Sequence, residues 1–176
     1  MTYTRWGKSS CPNITGTELV YSGRAGGGHS LHDDGGVVNF QCMPLDPQYT
    51  LTVKSGITGY VYIYGAEYIL PLRGGDRHNV PCAVCYVSTR ETVLMIPAKT
   101  SCPTSWTREY YGYLMSEYRG RRGSTIECID EDQESLPGSG ADRSGALLHH
   151  VEASCNGMPC PPYDATKELT CVVCTK

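Results

Sequence analysis

The chain has 176 residues and a formal net charge of −3, and 19% of its residues are charged. Nucleic acids and anionic membrane surfaces are bound by clusters of positive charge, so this balance argues against both as partners. No apolar run approaches the roughly 18 residues of a membrane-crossing helix, and we expect no membrane insertion. The length allows one domain or two small ones.

The ten cysteines mark an internal duplication. Each half opens with Cys-Pro, continues with a lone cysteine and closes with a Cys-x-x-Cys motif. In chain order these cysteines are Cys11, Cys42, Cys82 and Cys85 in the first half, and Cys102, Cys128, Cys171 and Cys174 in the second. A period of about 90 residues is too long for a solenoid repeat and suits two fused copies of one small unit. We predict an all-β fold of two disulfide-rich subdomains, residues 1–90 and 91–176, packed as one unit with little helix.

The closing motifs favour disulfides over a metal site. Their spacers, Ala83-Val84 and Val172-Val173, are strand-forming, whereas a metal-binding turn usually carries glycine, lysine or asparagine. On a strand, positions i and i+3 face opposite sides, so each cysteine of a motif needs its own partner. The spacing alone does not decide the pairing within a half.

The second half has two further cysteines, Cys155 and Cys160, which flank an Asn-Gly-Met-Pro loop and can pair locally. All ten cysteines then pair, which is typical of a secreted, extracellular protein. A structural zinc site, a redox-active dithiol and a reduced cytosolic protein are the alternatives.

Polar segments of the first half contain two candidate sites. Asn13-Ile14-Thr15 is a glycosylation sequon in a predicted turn, with an unmodified asparagine as the alternative. Residues 23–36 contain six glycines and four side chains that could bind a metal or form a catalytic His–Asp pair, namely His29, His32, Asp33 and Asp34. Because so many glycines oppose a fixed scaffold, we favour a mobile polar loop, and we predict no metal site and no cofactor.

Residues 57–70 predict a strand with a tyrosine face. Tyr60, Tyr62 and Tyr64 alternate with Val61 and Ile63, so burial of the aliphatic face turns the tyrosines outward. Such a row is typical of a packed interface. A ligand platform is the alternative, because tyrosine joins a flat apolar ring to a hydroxyl.

Several motifs support a resemblance to a known family. They are the Cys-Pro openings at 11–12 and 102–103, Glu-Leu-Val-Tyr-Ser-Gly at 18–23, Pro-Cys-Ala-Val-Cys at 81–85, Ile-Pro at 96–97, Trp106, Tyr-Gly-Tyr-Leu-Met at 111–115, Val-Glu-Ala-Ser-Cys at 151–155 and Cys-Val-Val-Cys at 171–174. The chain resembles the C-terminal non-collagenous domain of type IV collagen. It is more similar still to the C-terminal globular domain of the short-chain, spongin-type collagens of invertebrates.

The resemblance implies a crossed disulfide pairing and an assembly role. The implied pairs are Cys11–Cys85, Cys42–Cys82, Cys102–Cys174, Cys128–Cys171 and Cys155–Cys160. It also implies trimerisation of extracellular-matrix chains, with further copies of the chain and matrix proteins as partners. The first half lacks a counterpart of the last pair, and its stretch between Cys42 and Cys82 is shorter than in type IV collagen.

The connection between the halves contains a second predicted interface. A polar turn at residues 89–91 leads into an apolar strand, predicted to be buried, that Pro97 ends. The related domain packs against its neighbours through a hairpin at this place. We therefore predict Val93, Leu94, Met95 and Ile96 as interface residues.

No nucleophile–base spacing, phosphate loop or framed carboxylate pair is present, so we predict no enzyme. We predict a secreted, non-catalytic matrix module for oligomerisation, with a homotrimer favoured. The alternative is a stand-alone carbohydrate-binding protein, a lectin, which the excess of tyrosines and the absence of Gly-X-Y triplets favour. Its candidate ring contacts are Trp6, Trp106, Tyr110 and the three tyrosines of residues 60–64. A simpler interpretation makes the two tryptophans equivalent core residues.

Overall fold

The computed structural model describes residues 1–29, 37–49, 61–69, 77–118, 123–141, 143 and 145–176. These residues form ten β-strands and no α-helix, which confirms the predicted all-β, disulfide-rich fold. Among them there is no helix long and apolar enough to cross a membrane. The strands are β1 (Thr2–Trp6), β2 (Thr17–Gly27), β3 (Gln41–Pro44), β4 (Tyr64–Tyr68), β5 (Pro81–Val87), β6 (Val93–Pro97), β7 (Thr107–Ser116), β8 (Glu127–Asp130), β9 (Ala146–His150) and β10 (Thr170–Thr175).

The two halves of the chain repeat one pairing plan. In the first half the long strand β2 pairs with β3, β4 and β5, and β5 also pairs with β1. In the second half β7 pairs with β8, β9 and β10, and β10 also pairs with β6. Every one of these pairings is antiparallel. The strands β1 to β5 are therefore the counterparts, in order, of β6 to β10.

A close approach of two strands is also repeated. A Cβ atom at Gly23 on β2 would overlap the backbone carbonyl of Met43, and one at Gly112 on β7 would overlap the carbonyl of Ile129. Only glycine allows backbones to approach so closely. The same residue type at the same place in both halves supports the strand-by-strand correspondence.

Two parallel contacts join the halves. β4 pairs with β9, with Ala66 opposite Ala146, and β1 pairs with β8 through Trp6 and Ile129. Because β9 also pairs with β7, the hydrogen-bonded strands close into a circuit of β7, β8, β1, β5, β2, β4 and β9. Two buried clusters each draw side chains from both halves, so the halves share their core.

The closing strands β5 and β10 hold most of the disulfides. Cys82 lies in the buried cluster that contains Trp6, whereas Cys85 lies in the other cluster, so the two cysteines face opposite sides of β5. The bonds are Cys11–Cys85, Cys42–Cys82, Cys102–Cys174, Cys128–Cys171 and Cys155–Cys160, the pairs that the resemblance implies. The first four close loops of 40 to 74 residues. The chain-entropy model gives roughly 4 kcal/mol of stabilisation for each.

The predicted tyrosine strand is shorter than expected. β4 begins only at Tyr64, and Tyr60 lies outside the described residues. Val61 and Ile63 are 71% and 39% exposed, so the predicted burial of the aliphatic face is wrong. The physical reason is pairing, since β2 bonds to β4 only from Tyr64 onward and the three preceding residues have no strand partner in the described part of the chain.

The apolar strand of the connection is present as β6, but its predicted burial is wrong for a single chain. β6 lies at the end of the sheet and, among the described strands, pairs only with β10. Val93, Leu94 and Met95 are 41%, 42% and 36% exposed. Burial of these side chains would need something outside the described chain.

Candidate interaction surface

The contact of β1 with β7 and β8, here called the inner seam, is built around one buried carboxylate. Glu109 is the bulge residue of β7, and its side chain is fully buried. Its Oε1 accepts hydrogen bonds from Arg90 at 2.8 Å and from Thr175 at 2.6 Å. Its Oε2 accepts from the hydroxyl of Tyr3 at 2.8 Å and from Thr17 at 3.4 Å. Both halves and the segment between them therefore meet at one side chain.

The tyrosines of the inner seam are held neutral. Burial, and then the charge of Glu109, raises the pKa of Tyr3 far above its ordinary value. Its ring stacks on Tyr110, with 6.3 Å between the ring centroids. The Tyr110 hydroxyl lies within hydrogen-bond distance of the carbonyl oxygens of Cys128 and Thr4, at 3.0 and 3.2 Å. Burial also raises the pKa of Tyr110.

An ion pair completes the inner seam. Arg5 on β1 and Asp130 on β8 approach to 2.7 Å, and their side chains are only 14% and 6% exposed. Beside them, Trp6 lies opposite Ile129 across the parallel contact. Because the attraction within a buried pair is offset by desolvation, we expect this pair to fix the register of the contact more than it stabilises it.

The strand β6 has the same place in the second half as β1 has in the first. On β1, Tyr3 lies opposite Cys85 and Trp6 opposite Cys82. On β6, Leu94 lies opposite Cys174 and Pro97 opposite Cys171. Leu94, Ile96 and Pro97 are therefore the counterparts of Tyr3, Arg5 and Trp6. We call Leu94, Ile96 and Pro97 the β6 edge.

The first half likewise has a counterpart of the surface that receives β1. The bulge residue of β2 is Val20, the counterpart of Glu109 on β7. On β3, the residues Met43 and Pro44 correspond to Ile129 and Asp130 on β8. We call Val20, Met43 and Pro44 the β3 edge. Among the described strands, β3 pairs only with β2.

Equivalent positions differ sharply in exposure. Glu109 is 4% exposed, whereas Val20 is 55% exposed. Ile129 is fully buried, whereas Met43 is 40% exposed. Glu109, Arg5 and Asp130 of the inner seam have the apolar counterparts Val20, Ile96 and Pro44 at the open edges, where covering these side chains costs no desolvation of charge.

A cavity of about 200 Å³ opens beside the β3 edge, lined in part by Gly26, Met43 and Ile63. The counterpart of Gly26 on β7 is Met115, which is fully buried in one cluster with Ile129 and Trp6. At the inner seam the corresponding place is therefore occupied by side chains of both halves. The cavity is an apolar space without an occupant from the described residues.

The aromatic residues predicted to contact a ligand differ in their exposure. Trp6 and Tyr110 are only 7% and 5% exposed. The prediction that they contact a sugar is therefore wrong, because a platform must present its ring face to the ligand. Trp106 is half-buried in the turn before β7, so it is not the structural counterpart of Trp6, whose place on β6 is taken by Pro97.

Exposed Tyr62 and half-buried Tyr64 lie together with a histidine. The ring of Tyr62 is 57% exposed and lies 6.2 Å from that of Tyr64, centroid to centroid. The ring of His29 meets Tyr64 edge-on at 4.6 Å. The other three polar residues of the glycine-rich segment, His32, Asp33 and Asp34, lie outside the described residues. In the part that is described, no group of three or more His, Cys, Asp or Glu side chains could hold a metal ion.

Sequence reasoning did not single out Glu109, Val20 or Met43. Glu109 lies between Trp106 and the Tyr-Gly-Tyr-Leu-Met motif at 111–115, and no pattern there marks it as a buried charge. A signal was available, because aligning the halves on Gly23 and Gly112 places Glu109 against Val20. The chain matches no protein-family model, and a search of curated proteins found no significant match.

Proposed function

We propose that the protein is a secreted, non-catalytic module that associates with copies of itself, the β6 edge of one copy docking on the β3 edge of the next. The observation that supports this is the unpaired apolar β6 edge, because its counterpart β1 is covered at the inner seam, where it pairs with β8 at Trp6. The five disulfides indicate an oxidising, extracellular environment, and Cys42–Cys82 ties β3 to β5.

The chemistry of the edges favours a second copy as the occupant. Exposed, apolar edge strands invite pairing, and proteins normally cover or charge them. The residues from Val93 to Pro97 carry no charge. The surface that fits such a strand already exists in the same chain, because the β3 edge is the counterpart of the surface that receives β1.

Docking of this kind is head-to-tail. Each copy uses one edge to bind and offers a different edge to the next copy, so the chain of contacts either closes into a ring or continues as a filament. The family resemblance favours a closed ring of three copies, as in an extracellular-matrix assembly domain. Matrix proteins would then be further partners.

Sedimentation velocity and native mass spectrometry of the oxidised chain test the proposal. We expect Leu94→Lys to raise the dissociation constant of self-association at least about tenfold, because a charge would be buried in an apolar contact. Met158→Lys is the matched control, since Met158 is 41% exposed on the local disulfide loop and Leu94 is 42% exposed. Equal effects of the two substitutions, or a wild-type chain that stays monomeric at high concentration, would refute the proposal.

The register of the contact can be tested separately. The counterparts of Arg5 and Asp130 at the open edges are Ile96 and Pro44. We expect Ile96→Arg and Pro44→Asp each to weaken association, and the double variant to recover it by rebuilding the ion pair between copies. Additive losses in the double variant would show that these two positions do not meet.

Carbohydrate binding is the alternative function, and its candidate contacts are Tyr64, which lines the 200 Å³ cavity, and the neighbouring exposed Tyr62. A glycan-array screen of the native oligomer tests it. Selective binding that free sugar competes and that Tyr62→Ala abolishes would favour a lectin. We prefer self-association because two of the predicted ring contacts are buried in the core.

A further inference from the structure

The chain contains a single Asn-x-Ser/Thr sequon, Asn13-Ile14-Thr15. It lies between β1 and β2, outside any ladder, and both Asn13 and Thr15 are exposed. The amide of Ile14 donates a hydrogen bond to the carbonyl of Pro12 at 2.9 Å. The amide of Thr17 donates one to the carbonyl of Ile14, also at 2.9 Å. The sequon is thus presented on a tight turn at the protein surface.

The turn is anchored on both sides. Cys11, two residues before the asparagine, is bonded to Cys85 on the closing strand. Arg90 donates a hydrogen bond to the carbonyl of Thr15 at 3.2 Å. No hydrogen bond joins the side chain of Asn13 to another described residue, so the amide nitrogen that accepts a glycan is accessible.

All ten cysteines are paired, which requires an oxidising compartment such as the lumen of the secretory pathway. N-linked glycans are attached to Asn-x-Ser/Thr sequons of secreted proteins, at surface loops. The chemistry of the cysteines and the geometry of the turn therefore point to the same modification.

The position of the turn relative to the open edges can be deduced from the second half. Since Cys102-Pro103 is the counterpart of Cys11-Pro12, Thr104 is the counterpart of Asn13. Thr104 is exposed although the inner seam is fully formed. The equivalent contact at the β3 edge would leave Asn13 equally exposed.

We propose that Asn13 carries an N-linked glycan and that this glycan stands outside the self-association contact. The second part of this inference rests on the proposed function. The glycan marks only one half, because Thr104-Ser105-Trp106 is not a sequon. It would restrict which other surfaces of the assembly can meet while leaving the head-to-tail contact open.

The test is mass spectrometry of the chain secreted from eukaryotic cells, before and after peptide N-glycosidase F. We expect a mass shift that maps to Asn13, that Asn13→Gln and Thr15→Ala both remove, and that Thr15→Ser retains. Asn156→Gln, at an exposed asparagine outside any sequon, is the matched control and leaves the shift unchanged. An unmodified Asn13 peptide from secreted wild-type chain with all five disulfides intact would overturn the first part.

The second part has its own readout. We expect sedimentation to give the same oligomer and a dissociation constant within about twofold for the glycosylated chain and for Asn13→Gln. Oligomers formed by the aglycosylated chain alone would overturn it. If both forms are monomeric, the proposed self-association fails, whereas the glycan assignment is decided by the mass spectra alone.

Discussion

The inner seam and the two open edges occupy counterpart positions and have opposite chemistry. At the inner seam Glu109 accepts four hydrogen bonds and Arg5 pairs with Asp130. At the open edges the corresponding residues are Val20, Ile96 and Pro44, all of them apolar. These three positions are thus polar where the halves meet at the inner seam and apolar at the open edges.

The difference in chemistry makes the two kinds of contact unequal in selectivity. A buried polar network tolerates one partner in one register, because any other arrangement leaves charges unpaired. An apolar edge is less selective and gains free energy from any covering surface of matching shape. The polar contact therefore suits the permanent join of the two halves, and the apolar contact suits association that depends on concentration.

The largest expected effect is at Glu109. Glu109→Ala leaves the guanidinium of Arg90, only 14% exposed, without its carboxylate, and we expect the free energy of unfolding to fall by about 3–5 kcal/mol. Val20→Ala changes the counterpart position and should cost less than about 0.5 kcal/mol in the monomer, since Val20 is 55% exposed. Urea unfolding of the oxidised chains measures both. Similar losses would mean that the two positions are not structurally distinct.

We expect the next largest loss of stability from substitutions of Gly112 and its counterpart Gly23. Gly112→Ala would push β7 away from β8 at the inner seam, and we expect it to cost at least about 1–3 kcal/mol of stability. Gly23→Ala should distort the β3 edge in the same way and weaken self-association as well as folding. Thermal unfolding combined with sedimentation separates the two outcomes. A loss of association in Gly112→Ala alone would contradict the assignment of the edges.

Alkaline pH should lower the stability through three buried tyrosines, two of which, Tyr3 and Tyr110, lie at the inner seam. Burial raises the pKa of Tyr3, Tyr68 and Tyr110 above the ordinary value near 10. Their folded pKa values exceed the unfolded ones, so the stability is complete below pH 10 and falls above it, by about 1.4 kcal/mol per pH unit for each tyrosine. Tyr3→Phe should reduce this slope by one such increment, and Tyr49→Phe, at a residue that is 86% exposed, should not. Urea unfolding between pH 9 and 11 gives the slopes.

The smallest expected effect is the replacement of the whole ion pair. Arg5→Met combined with Asp130→Leu removes both charges together, and we expect a change within about 1 kcal/mol, because the pair contributes register more than stability. Each single substitution should be clearly worse than the double one. A double variant as unstable as the singles would show that the ion pair itself stabilises the seam.

Much of the framework could be predicted from local sequence. The strand-forming spacers of the closing motifs required separate partners for Cys82 and Cys85, and the two cysteines do face opposite buried clusters. The prediction failed where pairing between distant strands decides. Val61 and Ile63 alternate correctly for a strand, but β2 pairs with β4 only from Tyr64, and both side chains remain exposed.

The sequence by itself determined the duplication, the strand character of the cysteine motifs and the single sequon, because these depend on residue types over short distances. Only the tertiary structure decided which strand edges are covered. β1 and β6 have the same place in their halves, yet β1 pairs with β8 at Trp6, whereas β6 pairs with no second described strand. That outcome depends on how the two halves are placed against each other. The inner seam around Glu109 holds the halves in one arrangement.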